Sequence, residues 1–223
     1  MVAIKAHFYF YIMAKSKKEG EVFNNLENAA SQLIDNSRPY LATVKVVGTA
    51  KKLFHCWKQT VVDEKASSLK NSTTKKTDDI ESYVIRNENG LITIPTANFC
   101  ASIRYAGKAF ADPSSPRKSM YDKLNSICVP YNEYALINDG VKTWDYVDAR
   151  RVVIQRAGIT RQRPGFNEGW TATFKIMVLA PDFLPPARLR EIMDYAGKFQ
   201  GIGDFRPSHG RFRVDGFSIE IAS

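Results

Sequence analysis

The sequence of 223 residues holds three cysteines, Cys56, Cys100 and Cys128, and no Cys-x-x-Cys pair. So sparse and odd a set excludes a disulfide framework and a zinc knuckle, and it fits a reducing compartment, the cytoplasm. Histidine is equally scarce. His7, His55 and His209 stand far apart, with no HExxH or comparable spacing, so no metal and no other cofactor is expected. Gly-x-Ser-x-Gly is absent, and with it the nucleophile elbow of the hydrolases. No run approaches the length of apolar chain that spans a bilayer, so no membrane is expected among the partners. Ala6 to Ala14, apolar and aromatic after Lys5, has the length of a secretory core, but His7 interrupts it and Lys15-Ser16-Lys17-Lys18 follows without a cleavage pattern. Residues 1–40 are therefore expected to be an arm or extension: a strand, a segment that packs on a neighbouring copy to make an oligomer or filament, or a dispensable stretch before Met13.

What is present is an ordinary globular balance, 44% hydrophobic and 25% charged, with a formal net charge of +9. That size of chain supports one sizeable core with insertions, and the positive surplus favours polyanions. Val22, Phe23, Leu26, Ala29, Ala30, Leu33 and Ile34 recur at helical spacing, and Pro39 follows. Residues 41–47 alternate as a strand. Residues 63–82 turn Ser-, Thr- and Lys-rich and read as a solvated insertion. Ile92 and Ile94 make a short strand up to Pro95, Thr96 can cap a helix, and Phe99, Cys100, Ile103, Ala106 and Phe110 give that helix a buried face over 96–110. Residues 117–148 read as small strands and turns. Arg151–Ile159 reads as a strand, as does Gly169–Ala180 with Ala172, Phe174, Ile176 and Val178 inward. Pro185 and Pro186 suit a first helical turn, and Leu189, Ile192, Met193, Ala196 and Phe199 form one stripe. Phe212–Ile221 is a last strand whose parity flips at Asp215-Gly216, the sign of a bulge. The expected class is α+β, with the β-α-β-β-α-β ferredoxin-like order over a single domain of residues 41–223 carrying long insertions.

The positive charge is concentrated. Arg150, Arg151, Arg156, Arg161 and Arg163 follow one another with no intervening acid. Guanidinium forks bind phosphates bidentately and stack on bases, so on a strand they form a track for a sugar–phosphate backbone. A solvated strand face paired to Asp145, Asp148 and Glu168 is the plainer alternative. The stretch Gly201-Ile202-Gly203-Asp204-Phe205-Arg206-Pro207-Ser208-His209-Gly210-Arg211-Phe212-Arg213 lies between a helix and a strand, the wrong context for a dinucleotide fingerprint. It offers close backbone approach together with Arg206, Arg211 and Arg213. A tight turn with Asp204 on Arg206 is the alternative. Lys51, Lys52 and Trp57 interleave charge with a ring that can stack a base or fill the core, and Arg104 and Lys108 sit four apart on the 96–110 helix, toward a ligand or toward water. Phe205 is a second candidate stacking ring.

Gly201 to Val214, a helix then a glycine loop then a strand, is similar to the glycine-rich loop of the RAMP superfamily, the RRM-like proteins of CRISPR effector backbones and guide-processing nucleases. Leu91-Ile92-Thr93-Ile94-Pro95-Thr96 leading to Arg104 resembles the strand–proline–helix–arginine segment of the backbone subunits. Unlike theirs, Thr96 to Ile103 contains no glycine. The chain also resembles a family of uncharacterised tailed-phage and prophage proteins over residues 41–60 and 85–221, through Arg161-Gln162-Arg163-Pro164, Trp170, Gly201 to Pro207 and Gly210-Arg211-Phe212. The resemblance implies an RRM-like, RAMP-like domain that holds single-stranded RNA or DNA in a groove, with copies in a row, in the cytoplasm of a phage host. The expected function is sequence-tolerant, single-stranded nucleic-acid binding without enzymatic activity. Two alternatives stay open: a metal-independent endoribonuclease of the guide-processing kind with His209 as general acid or base, and a CRISPR-subunit mimic or inhibitor acting through protein contacts.

Overall fold

The structure, a computed structural model, describes residues 38–56, 63, 67, 80–154 and 157–222; of residues 152–154 and 157–159 it describes the backbone. Trp57, Arg156, the Val22–Ile34 helix and most of the 63–82 insertion lie outside the described residues. In chain order the strands and helices are β1 (Tyr40–Gly48), β2 (Lys52–Leu53), β3 (Ile85–Arg86), β4 (Ile92–Pro95), α1 (Thr96–Ala106), β5 (Ala111–Asp112), β6 (Ser115–Ser119), α2 (Tyr121–Ile127), β7 (Cys128–Pro130), β8 (Tyr134–Leu136), β9 (Tyr146–Ile154), β10 (Ala157–Phe166), β11 (Thr171–Val178), α3 (Pro186–Phe199) and β12 (Phe212–Ile221).

The main sheet is antiparallel in the order β12-β1-β11-β7. Alternation decides its faces. Tyr40, Ala42, Val44 and Val46 of β1 and Ala172, Phe174, Ile176 and Val178 of β11 are buried under the helices. α1 covers them with Phe99, Ile103 and Ala106, and Phe99 stacks on Phe174 with ring centroids 4.5 Å apart. α3 adds Leu189, Ile192, Met193 and Ala196. Each such side chain contributes about 1.5–3 kcal/mol when taken out of water. Tyr40, the first residue of β1, anchors the sheet to the α3 side by donating its hydroxyl to Leu184 O at 2.8 Å. The bulge lies where the parity flip puts it: Val46 opposes Val214 while Lys45 opposes Gly216, leaving Asp215 as the extra residue.

Several expectations are corrected. Residues 151–159 are not one strand: β9 ends at Ile154 and β10 begins at Ala157, the two antiparallel with Arg151 opposite Thr160 and Ile154 opposite Ala157. The hairpin belongs to a separate sheet, β2-β10-β9. The place beside β11 at the edge of the main sheet is taken by Cys128–Pro130, three residues too short to announce themselves by period. α2, just before it, is likewise only a two-turn helix. Thr96 does not cap α1: Pro95 holds the N-cap position without a side-chain cap, and Thr96 is buried as the first helical residue. The helix over 96–110 stops at Ala106 and continues as a 3-10 turn, Gly107–Ala109. Phe199 is 47% exposed, outside the stripe that the rest of α3 buries.

Candidate nucleic-acid interface

The segment that follows β1 is pinned on both sides, and this brings the two arginine-bearing stretches together. On one side β2 pairs with β10, Leu53 opposite Gly165 and Lys52 opposite Phe166. On the other side docks the glycine loop. Gly210 N donates to Lys51 O at 2.7 Å, Thr49 N to Arg211 O at 2.8 Å and Asp204 N to Leu53 O at 3.1 Å, while Ile202 N donates to Gly210 O at 2.8 Å and closes the loop on itself. Glycine is required here. Gly203 and Gly210 have φ of +100° and +73°, and a Cβ would stand 2.6 Å from Lys52 Nζ in the first case and 1.8 Å from Ile202 O in the second.

Strand alternation then divides the arginines. Arg150 opposes Arg161 and Asp148 opposes Arg163, so these four share one face of the hairpin. Arg151 and Thr160 lie on the other. The first face meets the loop. Arg150 Nη2 is 3.3 Å from His209 Nε2, and the Arg150 and Arg163 guanidinium carbons lie 5.0 and 4.5 Å from the centre of the Phe205 ring. Arg161 Nη1 donates to the Tyr83 hydroxyl at 3.1 Å and sits 3.2 Å from His55 Nε2, and the His55 and Tyr83 rings are 4.6 Å apart.

Acids neutralise part of the cluster. Arg150 Nε bonds both oxygens of Asp148, at 3.0 and 2.7 Å. Arg163 Nε stands 2.5 Å from Asp204 Oδ2, an ion pair by distance whose N–H does not point along the line, so it holds charge against charge rather than a good hydrogen bond. Arg163 is buried. It braces hairpin against loop. Lys52 is buried too: it is 1% exposed, its Nζ reaches Ile202 O at 3.4 Å, and it lies 4.5 Å from the Phe54 ring centre. Burial, and then Arg206, push its amine down to about 7. Arg206 and Lys51 are exposed, and Lys51 Nζ lies 4.8 Å over the Tyr146 ring.

A cleft of about 300 Å³ opens between residues 52–56, the loop and the start of α1, lined by Asn98 and Ala101 of the helix. A second, more open hollow of about 490 Å³ continues past Tyr105 to Gln200 and Pro207. Gly203, Asp204 and Arg206 line both, so Arg206 stands where they join. Asn98, Ala101 and Tyr105 recur at helical spacing on the side of α1 turned to the loop, a signal that was readable in the sequence and missed; nothing in the sequence marked Tyr83. At the far end, Arg104 lies 5.2 and 5.3 Å from the Tyr105 and Tyr121 ring centres and Lys108 5.1 and 4.8 Å, with Arg104 Nη1 also on Asn125 Oδ1 at 2.6 Å.

The remaining arginines point elsewhere. Arg213 opposes Val47 on the open face of the main sheet and pairs with Asp215 at 2.8 Å. Arg211, two residues before it, is exposed. That open face also carries Thr43, Lys45, Thr173 and Lys175, and β1 and β11 place no aromatic ring on it. One furrow through all the arginines is therefore not what forms. Instead Lys51, Arg150 and Arg206 gather round the loop and Arg161 stands beside His55 and Tyr83 of the cleft wall, while Arg151 lies on the other face of the hairpin and Arg213 on the open face of the sheet. Among the described residues no group of three or more His, Cys, Asp or Glu is placed to hold a metal ion, and no helix is long and apolar enough to cross a membrane.

No family model matches the chain, and no curated protein matches it. Among solved structures, a chain of the Type III-B Cmr-beta complex bound to cognate target RNA is similar to it over 92% of this chain and 68% of that one, at 11% identity and a TM-score of 0.46. An overlap of that extent carries no argument about what this chain binds.

Proposed function

We propose that the protein binds single-stranded nucleic acid, largely without regard to sequence, by holding the phosphate backbone along the groove between the β9–β10 hairpin, the glycine loop and α1, on a core of the RRM/ferredoxin-like kind. The observation that carries this reading is the meeting of Lys51, Arg150 and Arg206 around one loop that also presents Phe205, with Arg161 beside the neighbouring His55 and Tyr83. Cations spaced along a groove satisfy successive phosphates, and a ring beside them stacks a base of any identity. The open face of the sheet supplies cations without rings, which is why the groove is the better platform.

The two nitrogens of His209 face Arg150 Nη2 and Ser208 Oγ, each at 3.3 Å. Burial and the Arg150 charge hold its pKa below the usual imidazole value. We read it as part of the contact between hairpin and loop, so the reading stays binding rather than cleavage. The setting we propose is the one the resemblance implies, nucleic-acid metabolism of a tailed phage in its host, with copies arrayed along a strand.

Photocross-linking tests the placement. A short single strand carrying halogenated pyrimidines is irradiated with the protein and the adducts are mapped by mass spectrometry. Adducts at Phe205, His55 or Tyr105 are expected. Adducts confined to β1 and β11 would overturn the groove.

A further inference from the structure

We propose that the cleft between residues 52–56 and α1 is a subsite for one nucleotide, its phosphate oxygen on Lys52 Nζ and Arg206 and its base against His55 and Asn98; this rests on the reading that the protein binds nucleic acid.

The argument begins with an unsatisfied donor. An ammonium carries three N–H donors. Lys52, 1% exposed, has one bond, to Ile202 O at 3.4 Å, and two ring faces, Phe54 at 4.5 Å and Trp170 at 5.7 Å. Asp204, the carboxylate whose charge acts on Lys52, is ion-paired with Arg163. A buried cation without its full set of acceptors is costly unless something supplies them. Lys52 nonetheless lines the cleft wall, beside Arg206. Gly203 keeps the approach open, since a Cβ there would stand 2.6 Å from Nζ. The volume, about 300 Å³, is at the lower end of ligand-sized cavities and accepts one nucleotide rather than a helix or a folded domain. The other lining matches a base: the His55 ring is exposed, and Asn98, exposed on α1, offers both a donor and an acceptor to a base edge. Empty, the cleft leaves the amine with its pKa near 7. A phosphate oxygen beside it favours the ammonium, so binding takes up a proton.

The test uses the whole chain and a dinucleotide with a single internal phosphodiester, whose charge is constant across neutral pH. Binding is followed by heteronuclear NMR. The wild-type protein is expected to show shifts at residues 52–56 and 203–206, with affinity falling as pH rises above 7, toward a limit of about tenfold per pH unit. Lys52→Met is expected to bind at least about tenfold more weakly at low pH and to lose the pH dependence. Gly203→Ala keeps the lysine but crowds it, and should weaken binding too. A 5′-mononucleotide binding as tightly as the dinucleotide identifies the ligand as free nucleotide; weaker binding identifies it as a segment of strand. No shifts in the wild type, or Lys52→Met binding like the wild type, overturns the subsite. A long oligonucleotide separates the two ideas. If Lys52→Met still binds it with a steep salt dependence, the groove stands and only the subsite fails; if the wild type itself does not bind it, the functional reading fails.

Discussion

Removing two exposed cations of the groove, Lys51→Ser with Arg206→Ser, should halve the salt dependence of single-strand binding. Four cations are available: Lys51, Arg150 and Arg206 round the loop, and Arg161 beside His55 and Tyr83. Each phosphate neutralised on a single strand contributes about 0.7 to the slope of log affinity against log salt. Four contacts give a slope of about −2.8, which weakens binding about fiftyfold between roughly 50 and 200 mM salt. Two contacts give about −1.4, or about sevenfold over the same range. The substitutions leave the scaffold alone, because the loop docks on the backbone carbonyl of Lys51 and not on its side chain. The assay is fluorescence anisotropy of a labelled homopolymeric oligonucleotide at several salt concentrations, with RNA and DNA compared. A double variant that keeps the full slope would place the contacts elsewhere. A wild-type affinity indifferent to salt would refute the phosphate-track argument itself.

Other outcomes follow from the same contacts. Gly210→Ala forces a Cβ to within 1.8 Å of Ile202 O in a left-handed backbone and should cost about 1–3 kcal/mol, read as a lowered unfolding midpoint. Asp204→Asn leaves the buried Arg163 uncompensated; because Asp204 is itself 31% exposed, the loss should fall near the low end of the range for broken buried pairs, about 3 kcal/mol in denaturant unfolding. The folded-state pKa of Lys52 lies below its unfolded value, so the unfolded chain binds more protons above pH 7 and stability should rise with pH from about 7 towards 10. Lys52→Met should flatten that rise in thermal melts and raise the midpoint at neutral pH. His209→Ala should leave a labelled RNA as intact as the wild-type protein leaves it; cleavage by the wild type that the variant abolishes would reinstate the ribonuclease reading.

Much of the scaffold was legible because it obeys a period. β1 and β11 alternate without exception, α3 carries its stripe from Leu189 to Ala196, and the bulge at Asp215 shows as a parity flip. The glycine loop was legible as a tight, docked element because closely spaced glycines mark positive-φ positions and close backbone approach. What failed were features with too little length to have a period. Cys128–Pro130 fills a place in the main sheet with three residues, and the change of strand between Ile154 and Ala157 hides among apolar residues on both sides.

The sequence by itself determined that the chain is α+β, that arginines crowd into two stretches, and which faces of the long elements are buried. Only the tertiary structure decided where those charges face. A period-2 strand sends neighbours to opposite sides, so Arg150 meets the loop while Arg151 does not, and the pairing of β2 with β10 carries Arg163 and Lys52 into the interior. Charge can be counted along a chain, but whether a cation faces solvent, an acid or a ring depends on partners far away in sequence, and those are fixed only when the sheets close.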